Sequence, residues 1–460
     1  MRRAVKCEAK AIASAAVVVL VGTASTGRAQ LLLGGGSPTK ERPPAALDPA
    51  IPKGAARASS PRPTAQHDLP ACSVKYPLCV HRAAKADALR AIAWLGALES
   101  AYERIVLCLG APGPLDDSNH GGGPALDMYL EHDDRALVMG VDESPPTVAR
   151  DRAAGFCVAG DQAELVERAA SLCVSEAVAL RLDASESPFA RRALATELWL
   201  HAGFPTSSDT RIIDDAQAEP ERAVAARDLS RLEGGGALLF EYLGTTRGRG
   251  AGVDAALATY ALSAGPPSPP DARWVNEPDV LDVLRATFGP TPSDVARFYA
   301  DFSLARAFIG TRDAELAWPL LRWTGNFGRV RFEWSVPLSS LPRRLSPARP
   351  IEPTGSAYLW VALDGGATSG TIAFQADWEP PVSFRWVLAL VAADGHVVRR
   401  IDVPYLERET HVERVVGELG SAAGLLIAGT NLGGLGPTYP FDPDFEPFEP
   451  HGYTVYLARQ

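Results

Sequence analysis

The sequence is poor in basic residues, and it has no long apolar segment after residue 30. Its 460 residues include 45 Lys and Arg against 55 Asp and Glu, a formal net charge of −10. Nucleic acids and anionic membrane surfaces are bound through basic faces, so this balance disfavours both kinds of partner. A membrane-spanning helix needs roughly 20 apolar residues, and we expect none in the mature chain.

Intact catalytic motifs are also missing. The sequence has no G-x-S-x-G nucleophile elbow, and no cysteine is paired convincingly with a histidine. Asp116, Asp117 and His120 precede three glycines, but no lysine and helix follow in the order of a phosphate-binding loop. The pattern therefore predicts a plain turn at 116–123.

The N-terminus has the composition of a secretory signal. Four basic residues precede an uncharged stretch rich in Ala and Val at 11–21, and Gly27–Ala29 gives a small-x-small cleavage pattern. The apolar core is shorter than a permanent anchor requires. We expect residues 1–29 to be removed and the protein to reach the periplasm, the cell envelope or the extracellular space.

The cysteines fit an oxidising compartment. Five of the six would remain after removal of the signal: Cys72, Cys79, Cys108, Cys157 and Cys173. Two local disulfides are expected, Cys72–Cys79 and Cys157–Cys173, although sequence alone leaves other pairings open. Cys108 lies in an apolar run and is expected to be buried and unpaired.

Composition and periodicity divide the mature chain into three parts. Residues 30–70 are rich in Pro, Gly and Ala and predict a flexible tether. Residues 71–325 show mostly helical periodicity, and residues 326–460 show the alternation of short strands. The predicted fold class is α+β multidomain: a mostly helical lobe with a short edge hairpin, then a jelly-roll-like antiparallel β-sandwich.

Helix signals can be assigned to several segments. Helices are predicted at 81–109, from a capping box of Asp161 and Glu164 to Leu182, at 188–202, from Pro220 through three glycines to Leu243, at 279–288 and at 292–309. The hairpin strands are expected at 126–131 and 136–141. C-terminal strands are predicted at 358–362, 372–374, 384–388, 425–427 and 453–457.

Five stretches resemble secreted myxobacterial metalloproteases of the thermolysin-like HExxH class. They read LDMYL at 126–130, RRALATELW at 191–199, ALLFEYL at 237–243, NEPDVLDVL at 276–284 and IEPTGSAYL at 351–359. The resemblance covers most of the mature chain. It implies a zincin-like lobe, with an edge strand at 126–130 ahead of the active helix at 191–199, followed by a C-terminal β-domain.

The expected zinc motif is degenerate in this chain. A zincin helix carries two His one turn apart, with a Glu beside the first that acts as base. Glu197 stands at the base position, whereas Thr196 and Leu200 stand at the two His positions. His201 follows one residue late, about 100° round the helix.

Two interpretations of this helix remain open. If the site is active, Glu197 is the catalytic residue and zinc is held by His201 with Asp215 and Glu219, since the resemblance implies an acidic third ligand after the active helix. Alternatively, Glu197 and His201 form a hydrogen-bonded pair along one helix face. We favour the second interpretation and expect no bound zinc.

The C-terminal part offers two further candidate ligand sites. Trp378 lies in a DWEPP segment that predicts a loop, so it is the tryptophan best placed to contact a ligand such as a sugar ring. Asp442, Asp444 and Glu446 alternate and could gather around calcium, although a proline-stiffened structural strap is favoured.

The sequence thus predicts an exported, non-catalytic metalloprotease-like protein that binds or scaffolds a protein, peptide or glycan ligand. The first alternative is a secreted zinc-dependent peptidase with an atypical ligand set. The second is a carbohydrate- or protein-binding envelope module.

Overall fold

A computed structural model describes the fold over most of the chain beyond residue 70. The described residues are 60–63, 70–83, 85–142, 152–162, 165–202, 211–225, 229–247, 252–264, 278–288, 291–309, 329–363, 370–434 and 449–460. Helices fill the region between two β-rich parts, and the C-terminal part is built from largely antiparallel sheets. None of the described helices is long and apolar enough to cross a bilayer.

A five-stranded mixed sheet lies at the start of the folded chain. Its strands are β1 (Ala71–Cys72), β2 (Leu78–Arg82), β3 (Leu126–Glu131), β4 (Val138–Asp142) and β5 (Ala154–Gly160), in the order β1-β2-β3-β5-β4. The β2–β3 and β3–β5 pairs are parallel, and the other two are antiparallel. The expected hairpin is therefore wrong, because β5 lies between β3 and β4, and β3 is a central strand rather than an edge strand.

The sequence predicts the hairpin because β3 and β4 are close in sequence, and it does not reveal β5 because that strand carries no alternating pattern. The strand reads AGFCVAG and is buried along almost its whole length. A strand covered on both faces has no polar face, so its residues do not alternate. Small residues also weaken the β signal, since the usual strand formers are β-branched or aromatic.

Within the described residues, eight helices follow or interleave with this sheet. They are α1 (Ala88–Tyr102), α2 (Val166–Leu182), α3 (Pro188–His201), α4 (Arg211–Ala218), α5 (Leu229–Arg247), α6 (Gly252–Ser263), α7 (Val280–Phe288) and α8 (Pro292–Arg306). Buried residues of the sheet and of most of these helices form one continuous hydrophobic core.

Several helix boundaries differ from the predicted ones. The first helix starts at Ala88, because β2 occupies 78–82 and the Asp87 side chain accepts a hydrogen bond from the Leu89 amide. Helix α2 begins at Val166 without a side-chain cap, and Asp161 instead accepts from the Asp87 amide at 2.9 Å. The predicted start of α3 is confirmed: Ser187 accepts from the Ala190 amide and Pro188 occupies the first turn.

The C-terminal part contains two sheets that share one core. The strands are β6 (Trp334–Pro337), β7 (Arg343–Leu345), β8 (Ser356–Ala362), β9 (Ile372–Trp378), β10 (Val382–Val391), β11 (Val397–Asp402), β12 (His411–Val416), β13 (Gly424–Gly434) and β14 (Tyr453–Arg459). Their orders are β11-β10-β13-β8-β6 and β12-β9-β14-β7. Each of the five predicted C-terminal strands lies within one of these. Side chains such as Phe374 and Val455 from one sheet meet Trp386 and Ile427 from the other.

The outer face of the five-stranded C-terminal sheet is covered by helix α8. Leu304 and Phe308 pack against Tyr358, Val387 and other buried side chains of β8, β10 and β13. The Tyr358 hydroxyl donates to the Ser303 carbonyl at 2.8 Å. The helical part and the β-rich part are thus joined by a packed apolar layer, which explains why β10 and β13 are apolar on both faces.

Both predicted disulfides are present. Cys72–Cys79 joins β1 to β2, and Cys157–Cys173 joins β5 to α2. The expectation for Cys108 is wrong: this residue is exposed and disulfide-bonded. It lies at the end of a π-helical turn, Glu103–Cys108, that follows α1, and its side chain is on the solvent side of that turn.

Candidate functional site

Glu197 and His201 lie one turn apart in the last half of α3. The helix is buried on nearly all sides from Ala193 to Leu200. The Glu197 side chain is completely buried, and the His201 side chain keeps 14% of its surface exposed. The His201 Nε2 atom lies 2.9 Å from Glu197 Oε1, so the i, i+4 spacing brings the two groups into direct contact.

A third charged residue, Glu241 of helix α5, completes the group. Its Oε2 atom lies 2.7 Å from His201 Nε2, and its side chain is almost fully buried. One ligand atom from each of Glu197, His201 and Glu241 lies within 4.8 Å of the other two. We refer to these three residues as the carboxylate–imidazole triad.

A glycine allows α5 to approach α3 closely enough for this contact. A Cβ atom built on Gly236 would lie 2.6 Å from Ala193 Cβ and 2.7 Å from Phe189 Cε2, both on α3. Real Cβ atoms do not approach so closely, so any larger residue would push the helices apart. The three glycines at 234–236 therefore lie inside a continuous helix, and the close packing at Gly236 sets the spacing of the triad.

Gly236→Ala should destabilise the protein by about 1–3 kcal/mol, because the added methyl group overpacks the α3–α5 contact. Gly235→Ala is the matched control, since among the described residues its Cβ would meet only Ala216 Cβ, at 3.8 Å. The control should be neutral or stabilising by up to about 1 kcal/mol, the helix-propensity gain of Ala over Gly. Urea denaturation of both variants measures the difference, and equal stabilities would contradict the assigned role of Gly236.

The triad strongly perturbs the protonation of its members. Burial raises the pKa of Glu197 well above its usual range; the nearby charge of Glu241 raises it further, and His201 partly opposes this. Burial by itself lowers the pKa of His201, but its interactions with the Glu197 and Glu241 carboxylates outweigh this effect and raise the pKa to about 10. His201 is therefore an imidazolium at neutral pH.

The hydrogen bonding within the triad is asymmetric. The single proton on His201 Nε2 is well directed only toward Glu241, so the contact with Glu197 is an ion pair without hydrogen-bond geometry. Among the described residues, no donor forms a hydrogen bond with either carboxylate oxygen of Glu197. A fully buried carboxylate without donors is costly, which is consistent with the raised pKa of Glu197.

The other residues predicted for a metal site lie elsewhere. Asp215 is exposed on α4, and Glu219 is half-buried just after that helix. Neither belongs to the group of ligand atoms formed by Glu197, His201 and Glu241. The third acidic member of the site comes from α5 instead.

Glu241 lies in the stretch at 237–243 that carries part of the resemblance, but it is not among the predicted site residues. It stands in the run ALLFEYL, where its neighbours on both sides are apolar and buried. A single carboxylate inside an apolar helical run is seldom fully buried without a partner. The lone acidic residue within an apolar run was therefore the signal that could have identified Glu241, whereas closeness in sequence to Glu197 could not.

Trp378 is not a loop residue, contrary to expectation. It is the last residue of β9, its side chain is buried, and its Nε1 donates to the Val382 carbonyl at 3.1 Å. Its ring packs against Phe384, 5.8 Å between centroids. The alternation of β9 continues to Trp378, which gives this side chain a place in the core. The calcium candidates Asp442, Asp444 and Glu446 lie outside the described residues.

The C-terminal part also contains a groove, which is separate from the triad. It has a volume of about 520 Å³ and lies between β11 and β12, the edge strands of the two sheets. Three arginines line it: Arg399, Arg400 and Arg414. Arg399 pairs with Glu418, which is 89% exposed, at 2.8 Å.

Comparison with known proteins gives little further information. No family model and no curated protein matches the chain. The chain is similar to the pre-peptidase C-terminal domain of a collagenase from Bacillus anthracis, at 11% identity over 28% of this chain and 96% of that domain, with a TM-score of 0.18. It is also similar to a CBM4 structure, at 20% identity over 26% of this chain and 84% of that one, with a TM-score of 0.15. Similarities at this level support no functional assignment.

Proposed function

We propose that this chain is an exported metalloprotease-like protein that does not hydrolyse peptides and acts as a binding or scaffold protein in the cell envelope or outside the cell. The observation that carries the proposal is the carboxylate–imidazole triad. In it, the cation between two buried carboxylates is the side chain of His201 itself. An active zincin has a metal ion between its ligands instead.

The protonation of His201 argues against a metal in this arrangement. Histidine binds zinc as a neutral imidazole, whereas the pKa of His201 is raised to about 10. A metal would have to displace a proton that two carboxylates stabilise. At the positions of the two missing ligands, Thr196 and Leu200 are both buried and offer no imidazole.

The distances lead to the same conclusion. Ligand atoms about 2.0–2.1 Å from a tetrahedral zinc ion lie roughly 3.3 Å apart. The His201 Nε2 atom lies 2.9 Å from Glu197 and 2.7 Å from Glu241, as in direct ion pairs. These distances support a direct ion pair over a zinc site, and we derive no catalytic step through a metal.

The order of the secondary-structure elements, together with the degenerate motif, supports the proposed likeness to a metalloprotease. A mixed sheet precedes a buried helix with the Glu of the motif, and a following helix supplies a second Glu. We propose that this part is a zincin-like lobe and that the two C-terminal sheets form a β-sandwich. The disulfides of the chain are compatible with an exported protein.

The groove between β11 and β12 is the surface that we propose for ligand binding. The groove is also lined by Asp402 and Glu418, and Arg400 is paired with Asp301 and Asp402. Arg399 and Arg414 are therefore the side chains that would favour an acidic ligand. The pair of Arg399 with Glu418 is exposed and hence weak, which lets a ligand carboxylate replace Glu418. This surface also suits the alternative of a carbohydrate- or protein-binding envelope module.

A second candidate function is a zinc-dependent peptidase with an atypical ligand set. It is favoured by the buried Glu197 carboxylate, whose two oxygens have no hydrogen-bond donor within the described ranges. In this case Glu197, His201 and Glu241 would be the residues that hold the metal, after His201 has lost its proton.

Metal analysis and a peptidase assay on the purified mature protein distinguish the two. We expect no stoichiometric zinc and no peptide cleavage, and Glu197→Ala should change stability but no activity. Addition of zinc at pH 8 should leave both results unchanged. About one zinc per chain, lost together with a hydrolytic activity in both Glu197→Ala and His201→Ala, would instead establish the peptidase.

A further inference from the structure

Residues 60–63 are placed against the free edge of the N-terminal sheet. The Ser60 amide donates to the Val141 carbonyl at 2.8 Å, and the Val141 amide donates to Ser60 Oγ at 3.1 Å. Val141 belongs to β4, the outermost strand of this sheet. The two hydrogen bonds align the segment, which we call the strap, so that Arg62 points over the sheet.

The Arg62 side chain is held in an acidic and aromatic pocket. Its Nη2 atom lies 2.8 Å from Asp117 Oδ2, and its Nη1 atom lies 2.5 Å from Asp127 Oδ2. Nη1 also donates to the Tyr129 hydroxyl at 3.1 Å, and the guanidinium carbon lies 4.8 Å from the centre of the Phe156 ring. Both carboxylates are essentially buried.

The pocket is built by the folded domain rather than by the strap. Asp127 on β3 is held by His81 Nε2 at 3.0 Å, and the His81 ring stacks on Tyr129. Asp117 accepts from the backbone amides of Asn119 and Gly121 in the turn that follows it. The wall of the pocket therefore has hydrogen-bond support of its own, which fixes the two carboxylates in position.

The geometry of the pocket selects a guanidinium over an ammonium group. Two nitrogen atoms of one planar group reach two separate carboxylates, while the face of that group contacts an aromatic ring. The planar guanidinium, with its fork of N–H donors, matches this arrangement, whereas the point charge of a lysine ammonium group does not. Burial raises the pKa of Asp117, and the charge of Arg62 opposes that rise. Without a guanidinium, the buried carboxylates of the pocket would therefore lack a compensating positive charge.

We propose that Asp117, Asp127, Tyr129 and Phe156 form a guanidinium-binding site that Arg62 of the strap occupies in cis, and that the site accepts the arginine side chain of a peptide when the strap is displaced. The strap is short and flanked by a Pro-, Gly- and Ala-rich sequence. A segment held by one arginine side chain and by two hydrogen bonds of Ser60 can exchange its arginine for an equivalent side chain from another chain. This inference does not depend on the proposed function of the triad.

The test is made on the full mature chain with Arg62→Ala and with N-acetyl-arginine-amide as the probe. The variant should bind the probe at least tenfold more tightly than the unmodified protein in calorimetry. Its melting temperature should rise with probe concentration, as for any ligand that binds only the folded state. N-acetyl-lysine-amide and N-acetyl-citrulline-amide should have no such effect.

Two control variants locate the binding. Arg135→Ala also removes an arginine near the sheet, but that half-exposed side chain pairs with Asp133 at the surface, and the variant should not gain affinity for the probe. Arg62→Ala/Asp117→Asn should lose the gained affinity.

Other outcomes are equally decisive. A folded Arg62→Ala variant that binds the arginine probe no better than the lysine probe would overturn the proposal. If Arg62→Ala does not fold alone, recovery of the fold with the arginine probe supports the proposal, and failure to recover refutes it.

Discussion

Replacing His201 with alanine is expected to lower the free energy of unfolding by about 3–5 kcal/mol at neutral pH, the usual cost of breaking a buried ion pair from one side. The variant leaves Glu197 and Glu241 buried next to each other without the imidazolium that neutralises them. Two like charges in a poorly solvated site repel strongly and must take up protons or water. Urea denaturation monitored by far-UV circular dichroism measures the loss.

The chain offers a matched control for this variant. His411 also lies between two carboxylates, 2.7 Å from Asp377 and 3.1 Å from Glu413, but all three side chains are about half exposed. His411→Ala should therefore cost about 0–1 kcal/mol, as surface ion pairs usually do. Similar losses in the two variants would show that burial does not strengthen the triad.

A double variant tests the electrostatic cause. Glu197→Gln in the His201→Ala background should recover part of the lost stability, because a neutral amide replaces one of the two uncompensated carboxylates. The single variant Glu197→Gln should be less damaging than His201→Ala, since His201 retains its hydrogen bond to Glu241. Strict additivity of the two substitutions would argue against direct coupling within the triad.

The sequence correctly predicts the helices, strands and disulfides that depend on interactions between residues close in sequence. The start of α3 follows from Ser187 and Pro188, which act within one helical turn. Strands β9 and β14 follow from alternation, because each has one face in a shared core. The two disulfides join cysteines that are close in sequence, so compartment and spacing pointed to the correct pairs.

The features that escaped prediction depend on contacts between distant residues. Glu241 is 40 residues from His201 and reaches it because Gly236 lets α5 approach α3. Strand β5 is recognisable only when its place between β3 and β4 is known, since burial on both faces removes the alternation. Arg62 lies in a stretch that reads as a tether, and its pocket is formed by residues more than 50 positions away.

Stability should fall as the pH rises from about 6.5 to about 10, and His201 should be the main cause. Its pKa is raised from 6.5 in the unfolded chain to about 10 in the folded protein, so the folded state binds the proton more tightly. The contribution is therefore complete below pH 6.5 and is lost as the pH passes through 10. Glu197 acts in the same direction from lower pH, because its pKa is also raised on folding. At 1.36 kcal/mol per pKa unit, the contribution of His201 to the free energy of unfolding has an upper limit of about 5 kcal/mol.

Urea denaturation at pH 6, 8 and 10 measures how the free energy of unfolding changes with pH. Because the glutamine in His201→Gln cannot titrate, the difference between the two proteins at each pH isolates the contribution of His201. An unchanged difference between the two proteins over this range would show that His201 is not protonated in the folded state, and it would favour a neutral imidazole available to a metal.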